Sequence, residues 1–410
     1  MGPHSNDQPA ATTTEPATLL VSFELSQKQW VLTMQQPHNS KLSRFAIPAY
    51  DKEKVLSILT AQRLRAEQHS GRPVTIVSIY EAGLDGFWLH RWLEAQQIES
   101  HVVDPASILG PQRKRNAKTD RIDGVKLRHS LAAWLGGNRQ ACSMVVPPSV
   151  EQEDRRRLSR ERGDLVAERI RLCNRVGGLL ASQGIVGFKP LRKGAREALD
   201  ALRTGDGREL AEHLRAAIER MLRRLAMLIE QIKAVEAERD ALLHAGPEAA
   251  EPASGETKAP GEPKAPGEPS KEQRLLRLRG IGPEFATVLP AECLYKQFDN
   301  RRQIAAFVGL APTPWSSGSV EHEQGISKAG NRRLRKTMVE LAWSWTRHQP
   351  GSALTRWYFA RIRGQGARVK RIAIVALARK LLVALWRYVQ DGVVPEGAVL
   401  KGDQGCGQLV

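Results

Sequence analysis

The chain has 410 residues, 41% of them hydrophobic, with 62 Lys and Arg against 44 Asp and Glu and a net charge of +18. That length accommodates two or three domains with buried cores, and the charge favours a polyanionic partner, most of all at Lys271–Val410, where 23 basic face 10 acidic residues. Cys142, Cys173, Cys293 and Cys406 form no C-x-x-C pair, and the most apolar late stretch, Ile372–Trp386, is short and broken by Arg379 and Lys380; a disulfide framework, a zinc site and a membrane span are thereby excluded, and a soluble protein of the reducing cytoplasm is expected.

The first sixteen residues are polar, without a basic or apolar signal region, and read as a disordered leader. Thr18–Glu24 is rich in β-formers and ends in an acid; Gln29–Met34 and Leu42–Ile47 read as two further strands, with turn residues Pro37, His38 and Asn39 between them. A helix from Asp51 to about Gln68, a strand Val74–Ile79 running into Tyr80-Glu81, a helix from about Phe87 to Gln96 and a strand Ser100–Val103 follow. Strands alternating with helices after an opening meander predict an α/β domain with a mixed sheet, here given the bounds 17–147.

Near the end of that domain stands Lys114-Arg115-Asn116-Ala117-Lys118-Thr119-Asp120-Arg121-Ile122-Asp123-Gly124. A helix starting near Thr119 sets Asp120 and Asp123 on one face. Locally the two acids complement the helix dipole and pair with Arg121 and Lys126. Glu24 and Glu81 at strand ends give them a second meaning, because in open α/β sheets sites form where strand ends meet helix starts. Four converging carboxylates would call for hard cations, Mg²⁺ or Mn²⁺, which activate a nucleophile and stabilise the leaving oxygen at a phosphodiester. Lys114, Arg115 and Lys118 are candidate nucleic-acid contacts.

Long charged helices are predicted next, Glu151 to about Ser182 and Arg208 to about His244, in a region bounded at 148–245. In the second, Leu214, Ile218, Met221, Leu225, Leu228, Ile232, Val235 and Leu242 keep a heptad seam interrupted at Arg239. A coiled coil joining two protomers is expected. Residues 246–272 form a Pro-, Gly- and Glu-rich linker that repeats Lys-Ala-Pro-Gly-Glu-Pro in tandem.

A mainly helical domain is predicted over 273–392, with a tail at 393–410. Arg279-Gly280-Ile281-Gly282-Pro283 resembles the turn of a helix-hairpin-helix, which offers backbone N–H groups to phosphate; a plain packing turn is the alternative. Phe307–Gly318 reads as a Pro- and Gly-punctuated loop holding Ser316 and Ser317, and Gly325–Lys336 as a turn opening a basic helix. Lys328, Arg332, Arg333, Arg335 and Lys336 are candidate phosphate contacts, as are Arg361, Arg363, Arg368, Lys370 and Arg371 further on. Most aromatics between Trp343 and Trp386 fall at helical spacing and belong to a core.

The segments V-S-F-E-L-S, S-I-Y-E-A-G, H-V-V-D-P-A and A-K-T-D-R-I-D, and later G-L-A-P-T-P-W-S-S-G and G-I-S-K-A-G-N-R-R-L-R, resemble the DEDD transposases of bacterial insertion sequences, the bridge-RNA-guided serine recombinases. The likeness spans nearly the whole chain apart from leader, linker and tail. It implies an RuvC-like, RNase H-like domain, coiled-coil helices and a helical serine transposase domain. It also implies metal-binding acids at Glu24, Glu81, Asp120 and Asp123, a catalytic Ser317, donor and target DNA, a structured guide RNA, and a dimer or tetramer. Glu24 departs from the aspartate normal at the first position, shifting its carboxylate by roughly one C–C bond length in a site that tolerates misplacement poorly. Two other functions fit these residues: a nucleic-acid binder that has lost chemistry, and a junction-resolving metal nuclease that uses water and leaves Ser317 idle.

Overall fold

In a computed structural model, placement is described for residues 16–37, 41–83, 86–108, 120–244, 269–317, 320–327 and 330–402. The chain forms two compact units, Met1–Pro148 and Ser149–Val410.

The first unit is built on six strands: β1 (Ala17–Glu24), β2 (Gln29–Gln35), β3 (Leu42–Pro48), β4 (Val74–Glu81), β5 (Glu99–Val103) and β6 (Met144–Val145). Their order is β3-β2-β1-β4-β5-β6, with β1, β4 and β5 parallel and the other pairs antiparallel. Period-two alternation sends Leu19, Val21 and Phe23 of β1 to one face, where they share a core with Val55 and Leu59 of α1 (Lys52–Ser70) and Leu89 and Leu93 of α2 (Trp88–Ala95). Val77 and Ile79 of β4 and Val103 face the other way, onto Leu127 and Leu131 of α3 (Asp120–Leu135). Helices on both faces explain why the parallel strands are nearly continuous in apolar residues. Helix α1 starts where the Asp51 side chain accepts from the Lys54 N–H at 2.9 Å, and it stops at Gly71, whose φ of 65° is left-handed. The expected mixed α/β sheet is present, and β6, two residues long, is an addition that no periodicity can announce.

In the second unit α4 (Val150–Ala181) opens on a capping box of Ser149 and Gln152, and α5 (Ala195–Asp200) and α6 (Glu212–His244) follow. Helix α6 runs back along α4: Arg162 pairs with Glu236 at 2.6 Å, while Val176 and Leu180 share a cluster with Ile218, Met221 and Leu225. The first part of the heptad seam, Leu214 to Leu225, is therefore occupied by α4 of the same chain, while Leu242 is exposed. A seam specifies a partner helix and leaves its origin open. Its interruption at Arg239 is a handover: the guanidinium is buried and pairs with Asp240 and with Glu284 at 3.0 Å.

Glu284 belongs to α8 (Pro283–Leu289), which follows α7 (Lys271–Leu276) and passes into a π turn at Pro290–Leu294. These contacts place the helical region and the C-terminal helices in one unit. Then come α9 (Arg301–Val308), strands β7 (Pro312–Ser317) and β8 (Val320–Ile326), and α10 (Arg332–His348), α11 (Ala353–Ile362) and α12 (Ala367–Asp391). Leu334, Met338, Leu341 and Trp345 of α10 pack with Ile374, Leu377, Leu381 and Leu385 of α12. Trp345 and Tyr358 are buried, as the helical spacing predicts, whereas Trp343 and Phe359 are exposed.

The stretch expected to be a loop is the antiparallel hairpin β7–β8, with a register shift between Pro312 and Pro314. Prolines argue against a central strand; a two-stranded ribbon admits them because one edge of each strand needs no donor. The Gly280 turn is a packing turn: its carbonyl accepts from the Ser344 hydroxyl at 3.0 Å, and a Cβ there would lie 2.7 Å from that of His348. Residues 1–15 of the expected sixteen-residue leader and 246–268 of the expected linker lie outside the described residues. Among the described residues, no helix is long and apolar enough to cross a membrane.

Candidate functional site

Glu24 and Glu81 close adjacent parallel strands. The pairing of β1 with β4 reaches Phe23 opposite Tyr80, so the next residues, the two glutamates, end the strands side by side and on the α3 face, with neighbouring strands about 4.8 Å apart. Both carboxylate oxygens of Glu24 are buried, whereas Glu81 is exposed.

Helix α3 comes down on these strands through Gly124. The Ser22 hydroxyl donates to the Gly124 carbonyl at 2.8 Å. A Cβ at position 124 would stand 2.7 Å from the Thr33 hydroxyl and 3.4 Å from Glu24 Oε1. The first turn of α3 thus lies beside the Glu24 carboxylate. Asp123 is half-buried in that turn, its Oδ1 3.7 Å from Lys126 Nζ, so the local pairing read from the sequence is present for one of the two acids. Asp120 begins α3, and its side chain lies outside the described residues. Among the described residues, no three acidic, histidine or cysteine side chains group closely enough to hold a metal ion. The two acids that end β1 and β4 offer oxygen donors alone, of which those of Glu24 are buried.

Ser317 is the last residue of β7, opposite Val320; its side chain lies outside the described residues. The stem of its hairpin is well tied. The Ser327 N–H donates to the Ala311 carbonyl at 2.9 Å, and the Asn331 N–H to the Phe307 carbonyl at 3.0 Å. Asn331 also caps α10, its Oδ1 accepting from the Leu334 N–H at 3.0 Å. Its Nδ2 donates to Glu292 Oε2 at 3.2 Å.

Glu292 is 3% exposed, on the π turn, and Arg160 of α4 grips it with Nε at 2.8 Å and Nη2 at 3.0 Å. Burial pushes the Glu292 carboxyl up, but the Arg160 hydrogen bonds and charge, the Asn331 amide and the nearby Arg156 charge outweigh it, leaving the group below the usual glutamate range. Arg156 itself stacks on Tyr295 and donates to the Ala291 carbonyl at 2.7 Å. Sequence reasoning misses this network; an acid set among Leu289, Pro290, Cys293 and Leu294 is the signal that could have found it.

The candidate phosphate contacts divide. Arg332 and Lys336 are exposed on α10, with Lys336 Nζ 3.6 Å from Glu340. Arg333 turns inward, its Nη2 donating to the Ser159 carbonyl on α4, and is a structural tie. Arg335 is half-buried, with Nη1 3.4 Å from the Val308 carbonyl. Arg361, Arg363, Arg368, Lys370 and Arg371 are all exposed around the α11–α12 elbow, and no acid occurs between Ser352 and Gln390. Lys114, Arg115, Lys118 and Lys328 lie outside the described residues.

An α/β unit with paired acids at its strand ends, joined in one chain to a helical unit with an exposed basic elbow, has the charge distribution that suits a nucleic-acid partner. Residues 272–357 match the family described as "Transposase IS116/IS110/IS902 family". A Sinorhizobium fredii (strain NGR234) protein described as a transposase, y4rJ, is 51% identical over 403 residues, covering 97% of this chain and 99% of its own length. The transposase for insertion sequence element IS1328 of Yersinia enterocolitica is 27% identical, covering 92% of this chain and 99% of itself. That for IS1111A of Coxiella burnetii is 26% identical, covering 72% of this chain and 73% of itself. The chain belongs to the IS116/IS110/IS902 family of insertion-sequence transposases.

Proposed function

We propose that this transposase joins donor and target DNA by strand exchange through a covalent serine–DNA bond, choosing its sites with a guide RNA. The observation that carries the reading is the placement of Glu24 and Glu81 side by side at the ends of β1 and β4, beneath the first turn of α3. The strand order β3-β2-β1-β4-β5, in which β2 runs antiparallel to both of its neighbours while β1, β4 and β5 are parallel, supports the expected RNase H-like domain.

Ser317 is the nucleophile in this reading. Its Oγ forms a bond to the scissile phosphorus as the bond from phosphorus to the leaving deoxyribose oxygen breaks. The serine proton passes to a base, and the leaving oxygen takes up a proton. The phosphodiester energy stays in the serine–phosphate bond, so a hydroxyl of the partner strand reverses the step, forming the new junction and releasing Ser317. Glu24, Glu81, Asp120 and Asp123 would hold the metal. When bound, a hard divalent cation activates the hydroxyl and stabilises charge on the departing oxygen. Both the carboxylates and the serine are required.

The exposed cations at 361–371, with Arg332 and Lys336, serve DNA and RNA backbones, and base pairing by the RNA supplies the sequence choice. Strand exchange between two DNA partners calls for more than one protomer, a dimer or tetramer. Purified protein with Mg²⁺, RNA transcribed from DNA flanking the element, and labelled element-end DNA tests the reading on a denaturing gel. A protein–DNA adduct that needs RNA and metal is expected. Cleaved DNA without attached protein would overturn it.

A further inference from the structure

We infer that Glu292 and Asn331 are positioning residues for the β7–β8 hairpin: the buried carboxylate fixes the Asn331 amide, and Asn331 pins the exit of the hairpin to the end of α9. The inference deepens the proposed function and, for its catalytic consequence, rests on the assignment of Ser317.

Besides the bond that its carbonyl accepts from the Arg335 N–H, Asn331 makes three hydrogen bonds that bear on the hairpin. Its N–H donates to Phe307 at 3.0 Å, its Oδ1 caps Leu334 at 3.0 Å, and its Nδ2 reaches Glu292 at 3.2 Å. An ionised carboxylate only accepts, so Glu292 forces the amide nitrogen towards itself and leaves the amide oxygen for the cap. Arg160 in turn holds Glu292 through both oxygens. Just before Asn331, Gly330 has φ +84° and lies against the Phe307 carbonyl, where any Cβ would collide with backbone. At the other end of the hairpin, Gly309 closes α9 in the left-handed region, and Ala311 receives Ser327. Both ends of the ribbon are therefore tied to α9, and the Arg160–Glu292 pair orients one tie.

A simple helix cap does not account for this. Aspartate or serine would cap α10 equally well; asparagine adds the donor that Glu292 needs. Nor does packing favour an acid at 292, since burying a carboxylate costs free energy that a leucine of similar size would not incur. The pair is explained by the orientation it imposes.

The test compares full-length wild type, Asn331→Asp and the double variant Glu292→Gln/Asn331→Asp. Aspartate at 331 keeps the cap but sets two carboxylates against each other. In the double variant the amide introduced at 292 donates to the carboxylate introduced at 331, restoring the bond with its polarity reversed. Amide hydrogen exchange over 312–326 is expected to rise about tenfold in Asn331→Asp and to return to within about threefold of wild type in the double variant. Serine–DNA adduct formation should fall and recover in step, with DNA binding within about twofold throughout. Wild-type hairpin exchange in Asn331→Asp, or raised exchange that the double variant fails to restore, would overturn the inference. If exchange follows the expected pattern while the wild type forms no serine–DNA adduct, the clamp stands and the assignment of Ser317 falls.

Discussion

Gly124 lies so close to Thr33 that a Cβ at position 124 would stand 2.7 Å from the threonine hydroxyl. Only glycine lets α3 settle onto β1 and β2 at this point, which is the approach that puts the first turn of α3 beside Glu24. Alanine would gain about 1 kcal/mol of helix propensity, but overpacking against a fully buried threonine costs about 1–3 kcal/mol. Gly124→Ala is therefore expected to destabilise the protein, and Gly124→Ala/Thr33→Ala to recover most of the loss. Urea denaturation of the four members of this cycle measures the coupling, and an additive cycle would contradict the contact.

Removing the charge of Glu24 isosterically is expected to abolish chemistry without unfolding the sheet. A metal contributes several kcal/mol of charge stabilisation, so Glu24→Gln should slow adduct formation on the order of a hundredfold or more. Stabilisation by added Mn²⁺ in thermal unfolding should disappear with it. Retention of both would remove Glu24 from the acid set.

Glu292 makes a prediction about acid. Its carboxyl sits below the usual glutamate range in the folded protein, with burial opposed by Arg160 first and then by Asn331 and Arg156. A depressed folded value adds stability at pH above the unfolded value of about 4.3, and that contribution disappears as pH falls through the folded value. Glu292→Gln should cost roughly 1–3 kcal/mol at pH 7, less than for a fully buried pair because Arg160 is 53% exposed. The difference from wild type should shrink as pH falls below about 4. A difference that stays constant across that range would show that the charge is not what matters.

The elbow of α11 and α12 should govern salt dependence. Alanine at Arg363, Arg368 and Arg371, all exposed, is expected to leave folding unchanged. Each loss should lower the slope of log affinity against log salt by about 0.9 on duplex DNA and about 0.7 on single strands. An unchanged slope, measured by filter binding over a salt series, would move the nucleic-acid face elsewhere.

Where function was legible in the sequence, the physics was local. The β-formers of Thr18–Glu24 and Val74–Glu81 mark both strands, and ending each on an acid places those acids at the strand ends. Asp51 and Gly71 frame α1 by capping chemistry that any reader of the chain can find. The hairpin holding Ser317 was hidden because its prolines speak against a strand, and pairing with β8 is what admits them. Arg333 reads like its basic neighbours but turns to α4, a choice made by packing between residues 174 positions apart. The Glu292 network was hidden for the same reason: its partners Arg160 and Asn331 are distant in the chain. The heptad seam was visible, but whether another helix of this chain or a second protomer fills it depends on where α4 runs.

Peptide mapping of the reacting protein locates the covalent bond to DNA. Protein quenched during strand exchange is digested with protease and nuclease, and nucleotide-modified peptides are identified by mass spectrometry. A phosphonucleotide on Ser317 is expected, absent when Glu24→Gln protein is used. Cut DNA that depends on Glu24 and Glu81, accompanied by an unmodified Ser317 peptide, would contradict it and indicate hydrolysis by water.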